Sequence, residues 1–459
     1  MLKFSSNPVS EHSEVPLADD GRLESLVEHW QAREERRSTS NDAEGSSVYV
    51  ASVGAERDPM VRAARLNEIV SLVQSQGGNI VGRELCHLSE PNPRTVLGKG
   101  TARDLADRAR ACGATMLVLD AELSPSQTRN LEDVAGIPVC DREGIILNVF
   151  LRHAKTRRAR IQVEVAQLEY LRPRIRGLGL DMDQQVGGIT GGRGPGETAS
   201  ELLARKLDGR LSELKKALGR LEASARTQRQ QRDSCHRLVL VGYTNAGKTS
   251  LMNALTEAEL SARDRPFETL DTTSRCLTRH GGEVVVSDTV GFIRRLPDRL
   301  LASFESTLAE IHDASLLVIV VDAADYEREE QLRTTQQLLE RMGAADVPRF
   351  YVFNKLDQLA VPPDPEQLER WSGGQPWVAL SARDAAAVAT LGQTLIGRVR
   401  RDEEPLTCFV PYAAARVLAL IYGKCRVLAS EASERGLTLR VQGPASVLSK
   451  VRAALKETP

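Results

Sequence analysis

The chain of 459 residues contains no apolar run near the roughly 20 residues that a membrane-spanning helix needs, which excludes a helical membrane protein. Its N-terminus, MLKFSSNPVSEHSEVPLADD, lacks the apolar core of a secretory signal and the Arg-rich amphipathicity of a transit peptide, so a cytoplasmic protein is expected. Cysteine is sparse. The seven cysteines (Cys86, Cys112, Cys140, Cys235, Cys276, Cys408 and Cys425) lie far apart, with no CxxC spacing and no Cys/His cluster. That pattern fits separate thiols in a reducing compartment and argues against a disulfide framework or a structural zinc. No internal repeat is present. An excess of one charge sign is missing too, since the formal net charge is −1. The average conceals an asymmetry: residues 1–46 are rich in Asp and Glu, whereas 152–232 carry a dense series of Arg and Lys.

What is present is a soluble composition, 41% hydrophobic and 27% charged, in a chain long enough for two to four domains. Residues 1–46 read as a polar tail with too few large apolar side chains to order itself. Over 47–155 short apolar runs (Val48 to Ala51, Asn79 to Arg83, Met116 to Leu119, Ile137 to Val139) alternate with helical stretches, the pattern of a small parallel α/β domain. Residues 156–232 carry no strand signal. Two amphipathic helices there, Arg160 to Arg174 and Glu197 to Arg229, flank the glycine-rich stretch GLGLDMDQQVGGITGGRGPGE, and a helical hairpin is expected whose long, flexible loop, tipped by Arg193, is either functional or disordered. Over 233–402 apolar runs at His236, Val284, Leu316, Phe350 and Trp377 each end in polar residues, as in a doubly wound sheet with its site at the strand carboxyl ends. Residues 403–459 suit a small α+β domain. The expected fold class is therefore α/β.

The strongest chemical signal is Gly242-Tyr243-Thr244-Asn245-Ala246-Gly247-Lys248-Thr249, which matches GxxxxGK[ST] between a predicted strand and a predicted helix. In that context backbone amides cradle phosphates, Lys248 reaches the outer phosphates and the Thr249 hydroxyl ligates Mg2+. Further pieces follow in order. Asp288-Thr289-Val290-Gly291 offers a carboxylate to the Mg2+ shell through water and a glycine amide for the terminal phosphate. Asn354-Lys355-Leu356-Asp357 follows a strand, and the Asp357 carboxylate can accept from guanine N1 and its exocyclic amine, which adenine does not offer. Ser381-Ala382 completes the base pocket. Between phosphate loop and DxxG lies Phe267-Glu268-Thr269-Leu270-Asp271, whose Thr269 can close the metal shell when a terminal phosphate is bound. Together these pieces describe a Ras-like G domain that hydrolyses GTP to GDP with Mg2+.

Phe292 stands where many Ras-like proteins place a water-orienting Gln, and a phenyl ring cannot position water by hydrogen bonding. Slow intrinsic hydrolysis and an outside source of help are expected, and no catalytic base is assigned. Asn245 is a candidate ligand for a monovalent cation such as K+, or equally a residue that stabilises its own loop. Gly98-Lys99-Gly100 before a helix reads as a plain turn ahead of a phosphate site.

The chain resembles the HflX family of ribosome-associated GTPases. The matching stretches are Leu123 to Glu132 (LSPSQTRNLE), Gln162 to Leu168 (QVEVAQL), Arg193 to Thr198 (RGPGET) and Asp288 to Pro297 (DTVGFIRRLP), and the resemblance spans about residues 47–402. It implies a factor that docks on the 50S subunit with GTP bound and dissociates stalled or stress-arrested 70S ribosomes. The alternative is a GTP-gated assembly or quality-control factor for the large subunit that splits nothing. The basic series in the helical region, with Arg157, Arg158, Arg160 and Arg193 as candidate rRNA contacts, fits an RNA partner through phosphate neutralisation. A solvated helix face is the plainer reading of the same charges. A monomer is expected. The sequence departs from the family at Thr198-Ala199-Ser200-Glu201, Ala204-Arg205-Lys206, Asn148 and Thr272, which bears on ribosome splitting more than on nucleotide chemistry.

Overall fold

The computed structural model describes residues 46–88, 90–154, 156–175, 199–230, 236–256, 273–278, 284–297, 299–300, 310–401, 403–443 and 445–456. The acidic tail, the glycine-rich loop with Arg193, and the Phe267–Asp271 segment lie outside the described residues.

The first sheet is four-stranded and parallel, in the order β2-β1-β3-β4: β1 Ser47–Gly54, β2 Asn79–His87, β3 Met116–Asp120 and β4 Val139–Asp141. Its strands are joined through α1 Pro59–Ser75, α2 Lys99–Ala111 and α3 Pro125–Ala135. Local chemistry sets these ends. Asp58 caps α1 by accepting from the Met60 amide at 2.8 Å, with Pro59 in the first turn. Ser124 and Gln127 form a reciprocal capping box on α3, which ends at Gly136 in the left-handed region. Gly98 and Lys99 simply begin α2.

A helix that periodicity does not reveal follows: α4, Arg142–His153. Its core, Ile145, Ile146, Leu147, Val149 and Phe150, is buried, because the helix is wedged between the sheet and the next helix. Its exposed stripe is narrow, Asn148, Leu151 and Arg152, so little of the sequence marks a polar face.

The helical hairpin is α5 Arg157–Ile175 against α6 Ala199–Gln230. Ile161, Val165 and Leu168 meet Leu207 and Leu214 on one face of α5. Its other face sends Val163, Ala166 and Tyr170 into the N-terminal core. Ion pairs Arg210–Glu164 and Lys215–Glu169 lace the hairpin's partly exposed flanks.

The second sheet has six strands in the order β10-β9-β8-β5-β7-β6: β5 His236–Gly242, β6 Thr273–Thr278, β7 Val284–Asp288, β8 Leu316–Asp322, β9 Arg349–Asn354 and β10 Trp377–Ala379. All pairs are parallel except β6 with β7. Its two faces are covered by α7 Lys248–Thr256 with α10 Ala385–Val399, and by α8 Arg328–Arg341 with α9 Pro365–Ser372. The candidate nucleotide-binding residues fall at the carboxyl ends of β5, β7, β9 and β10, as a doubly wound sheet dictates.

Last comes an antiparallel sheet β11-β13-β12 (β11 Glu404–Pro411, β12 Arg426–Ser433, β13 Gly436–Gly443) packed on α11 Ala415–Lys424 and α12 Ala445–Lys456. Of these strands only β13 has a sequence signal, the apolar alternation Leu437 to Val441. β12 is exposed along almost its whole length, so it carries no alternation to read.

Candidate nucleotide site

The phosphate loop leaves β5 at Gly242, where a Cβ would come within 2.2 Å of the Val320 carbonyl. Only glycine lets the chain turn there. Asn245 sits at φ 63°, a left-handed position that asparagine tolerates, and its side chain is exposed. Ala246 is buried beneath the loop. Lys248 is buried, and its Nζ donates to the carbonyls of Tyr243 at 2.8 Å and Gly242 at 3.1 Å. Burial pushes its ammonium down to about 8, partly offset by Asp288. Bound phosphates would favour the charged form.

Thr249 donates from Oγ1 to Asp288 Oδ2 at 2.7 Å. A hydroxyl and a buried carboxylate at the start of a helix are the hard oxygen donors Mg2+ takes beside phosphate oxygens, so the donor set fits that ion. In that place Mg2+ would neutralise charge on the outer phosphates. Among the described residues no group of three His, Cys, Asp or Glu could hold a metal unaided. Thr269 lies outside them.

The DxxG piece packs against the loop. Thr289 donates to the Leu240 carbonyl at 2.7 Å, and Val290 is buried. Gly291 lies so near that a Cβ would meet Thr244 Cα at 2.8 Å and Lys248 Nζ at 3.1 Å. Phe292 then bridges the phosphate loop: Thr244 donates to its carbonyl at 2.7 Å, and its own amide donates to Gly242 at 3.0 Å. The Phe292 ring is buried in the core with Val239, Val241 and Ile319.

The base end is built around Asn354. Its Nδ2 donates to the Ala246 carbonyl at 3.0 Å and its Oδ1 accepts from the Ala382 amide at 2.9 Å, tying the two loops together. Lys355 adopts φ 64°, and its ammonium is held by Asp322 at 2.7 Å. Leu356 and Asp357 form a short 3-10 turn, and Leu356 donates to the Leu380 carbonyl. Asp357 remains accessible. The Ser381 hydroxyl, at 2.7 Å, holds its carboxyl below the usual range, with smaller help from Arg383 and Lys355. Asp322 and Arg383 are site residues that motif reading passes over. The signal for Asp322 was a lone acid at the end of the apolar run Leu316–Asp322.

A buried ionic cluster lies beside the phosphate loop, and no motif points to it. Glu68 of α1 accepts from the Tyr243 hydroxyl at 2.5 Å and pairs with Arg142 and with Arg294, at 3.1 Å. Burial works to raise the Glu68 carboxyl, yet the two guanidinium groups outweigh it and hold it low. Burial and the Glu68 charge push the Tyr243 phenol well up, so it keeps its proton.

Of the basic residues in the helical region, Arg157 and Arg160 are exposed. Arg158 is only partly so, with Nε and Nη2 buried. Arg193 lies outside the described residues.

Three family models match in succession: GTP-binding GTPase N-terminal over residues 63–151, GTP-binding GTPase Middle Region over 153–232, and 50S ribosome-binding GTPase over 237–355. A GTPase HflX of Gluconacetobacter diazotrophicus is 41% identical over 361 residues, 78% of each chain. The chain belongs to the HflX GTPase family. The Escherichia coli GTPase HflX is 38% identical over 361 residues, covering 78% of this chain and 84% of its own. A GTP-binding protein of Sulfolobus solfataricus, solved with GDP, is 20% identical with a TM-score of 0.42, covering 76% of this chain and 99% of its own. Membership makes the chain a GTPase of a ribosome-associated family. Among the described residues no helix is long and apolar enough to cross a membrane.

Proposed function

We propose that the chain is a cytoplasmic, monomeric GTPase that docks on the 50S subunit and, in its GTP form, dissociates stalled or stress-arrested 70S ribosomes. The observation carrying this reading is the match of residues 237–355 to the model described as 50S ribosome-binding GTPase. The exposed guanidinium groups of Arg157 and Arg160, where the helical hairpin leaves the N-terminal domain, support an rRNA partner.

In this reading the loop Gly242–Thr249, with Gly291, holds the phosphates. Asn354, Lys355, Asp357, Ser381 and Ala382 hold guanine, and Thr249, Thr269 and, through water, Asp288 hold Mg2+. Asn245 is offered to K+. Phe292 turns its ring into the core, so water must be oriented by a group from outside the described residues or from the ribosome.

Sedimentation of 70S ribosomes with the protein and GTPγS tests it. Free subunits are expected. Intact 70S together with binding to isolated 50S would overturn splitting in favour of an assembly or quality-control factor.

A further inference from the structure

We propose that Glu68, in the N-terminal domain, is a positioning residue for the terminal-phosphate end of the nucleotide site. Its Oε2 receives the Tyr243 hydroxyl at 2.5 Å and the Arg294 guanidinium at 3.1 and 3.3 Å. Tyr243 is the second residue of the phosphate loop, and Arg294 follows Gly291 by three residues. One carboxylate from another domain thus holds the cradle and the segment that closes over it.

The hold on Arg294 is complete. Its amide donates to the Tyr243 hydroxyl at 2.9 Å, and its carbonyl accepts from Arg142 at 3.0 Å. Glu327 takes the rest of its guanidinium at 2.6 and 2.8 Å. Arg142 is itself anchored by Glu68 and by Asp120. Between the two tethered residues run the backbone bonds of Phe292 with Thr244 and with Gly242, which seat Gly291 within a methyl group's reach of Lys248.

GTP and GDP differ only in the phosphate that Gly291 serves. A group held within about half an ångström of its working position loses much of its value when it moves by one. Loosening Glu68 therefore weakens GTP and spares GDP. By reciprocity, a terminal phosphate tightens the seating of the N-terminal domain on the G domain, so this domain reads the nucleotide state. The boundary does not depend on the charge alone, because Ile69, Ile146 and Phe150 share an apolar cluster there with Ile293, Leu296 and Leu300.

The inference rests on the assignment of Gly291 to the terminal phosphate. The test is titration of the full chain with fluorescent GTPγS and GDP. Glu68→Gln is expected to lower GTPγS affinity about tenfold, the worth of one charge-assisted hydrogen bond. GDP affinity should stay within about twofold, and it doubles as the check that the variant is folded. Tyr243→Phe should lower GTPγS affinity as well, and Glu68→Gln with Tyr243→Phe should lose no more of it than Glu68→Gln alone. Equal losses of both nucleotides, no change, tighter GTPγS binding, or additive losses in the double variant would each overturn the role. Gly291→Ala separates the two premises. Unchanged GTPγS affinity there overturns the assignment of Gly291 and the inference with it, whereas a selective loss there with none in Glu68→Gln overturns Glu68 alone.

Discussion

Asn354 stands so close to Gly247 that a Cβ on the glycine would fall 2.2 Å from the asparagine amide nitrogen. Gly247 itself sits at φ 92°, so the position excludes other residues twice over. This contact is what joins the phosphate end of the site to the base end, since the same amide nitrogen donates to Ala246 and the same side chain accepts from Ala382.

Asn354→Ala removes both bonds and leaves a buried carbonyl and an amide unpaired. At about 1 kcal/mol for each lost bond, nucleotide affinity should fall by roughly ten- to a hundredfold. Because the residue touches neither the terminal phosphate nor the metal donors, GTP and GDP should weaken together. Isothermal titration with each nucleotide checks this, and a loss confined to GTP would show that the tie acts elsewhere.

With Asp357 assigned to guanine, the base choice is electrostatic. The Ser381 hydroxyl depresses its carboxyl, so guanine recognition should persist in mild acid and fail only as pH falls through that lowered value. Ser381→Ala removes the largest cause of the depression, and the fall in GDP affinity should then begin at higher pH. Measuring affinity between about pH 2.5 and 5 reads the displacement, and superimposable curves would contradict it. Asp357→Asn exchanges an acceptor for a donor, and guanine affinity should drop while xanthine nucleotides gain.

The Phe292 ring belongs to the hydrophobic core, which makes an obvious rescue fail. Phe292→Gln places an amide among Val239, Val241 and Ile319 and removes a buried ring. Large-to-small loss and polar burial together predict a cost of about 3–5 kcal/mol. Intrinsic GTP hydrolysis should not rise. Thermal unfolding and single-turnover hydrolysis decide the matter, and a stable variant with faster turnover would mean that the side chain reaches the phosphates.

How much of this could be read beforehand follows the physics of each element. The G domain's central strands announce themselves because a parallel sheet buried on both faces needs continuous apolar runs, and its loops because phosphate and guanine demand fixed residue types. Helix α4 and strand β12 escape for opposite reasons, one with only a narrow exposed stripe and the other exposed almost throughout. Tyr243 reads as an indifferent position in the phosphate loop. Its partner Glu68 lies 175 residues away, and no local pattern records a contact across that distance.

The chain's dependence on its partner should be measurable in rate and in salt. Because the Phe292 side chain cannot orient water by hydrogen bonding, GTP turnover should rise markedly when 50S subunits are added, and equal rates with and without them would refute the expectation. Arg157→Glu combined with Arg160→Glu reverses two exposed charges that make no ion pair among the described residues, and gives up one bond, from Arg160 Nε to the Ala154 carbonyl at 3.1 Å. If these residues meet rRNA phosphates, affinity for 50S should fall, and the slope of log affinity against log salt should flatten by about two, one for each phosphate no longer neutralised. Guanine nucleotide affinity should stay unchanged in the same variant. A salt slope identical to that of the unaltered chain would place the RNA-binding surface elsewhere, on residues such as Arg193 in the glycine-rich loop.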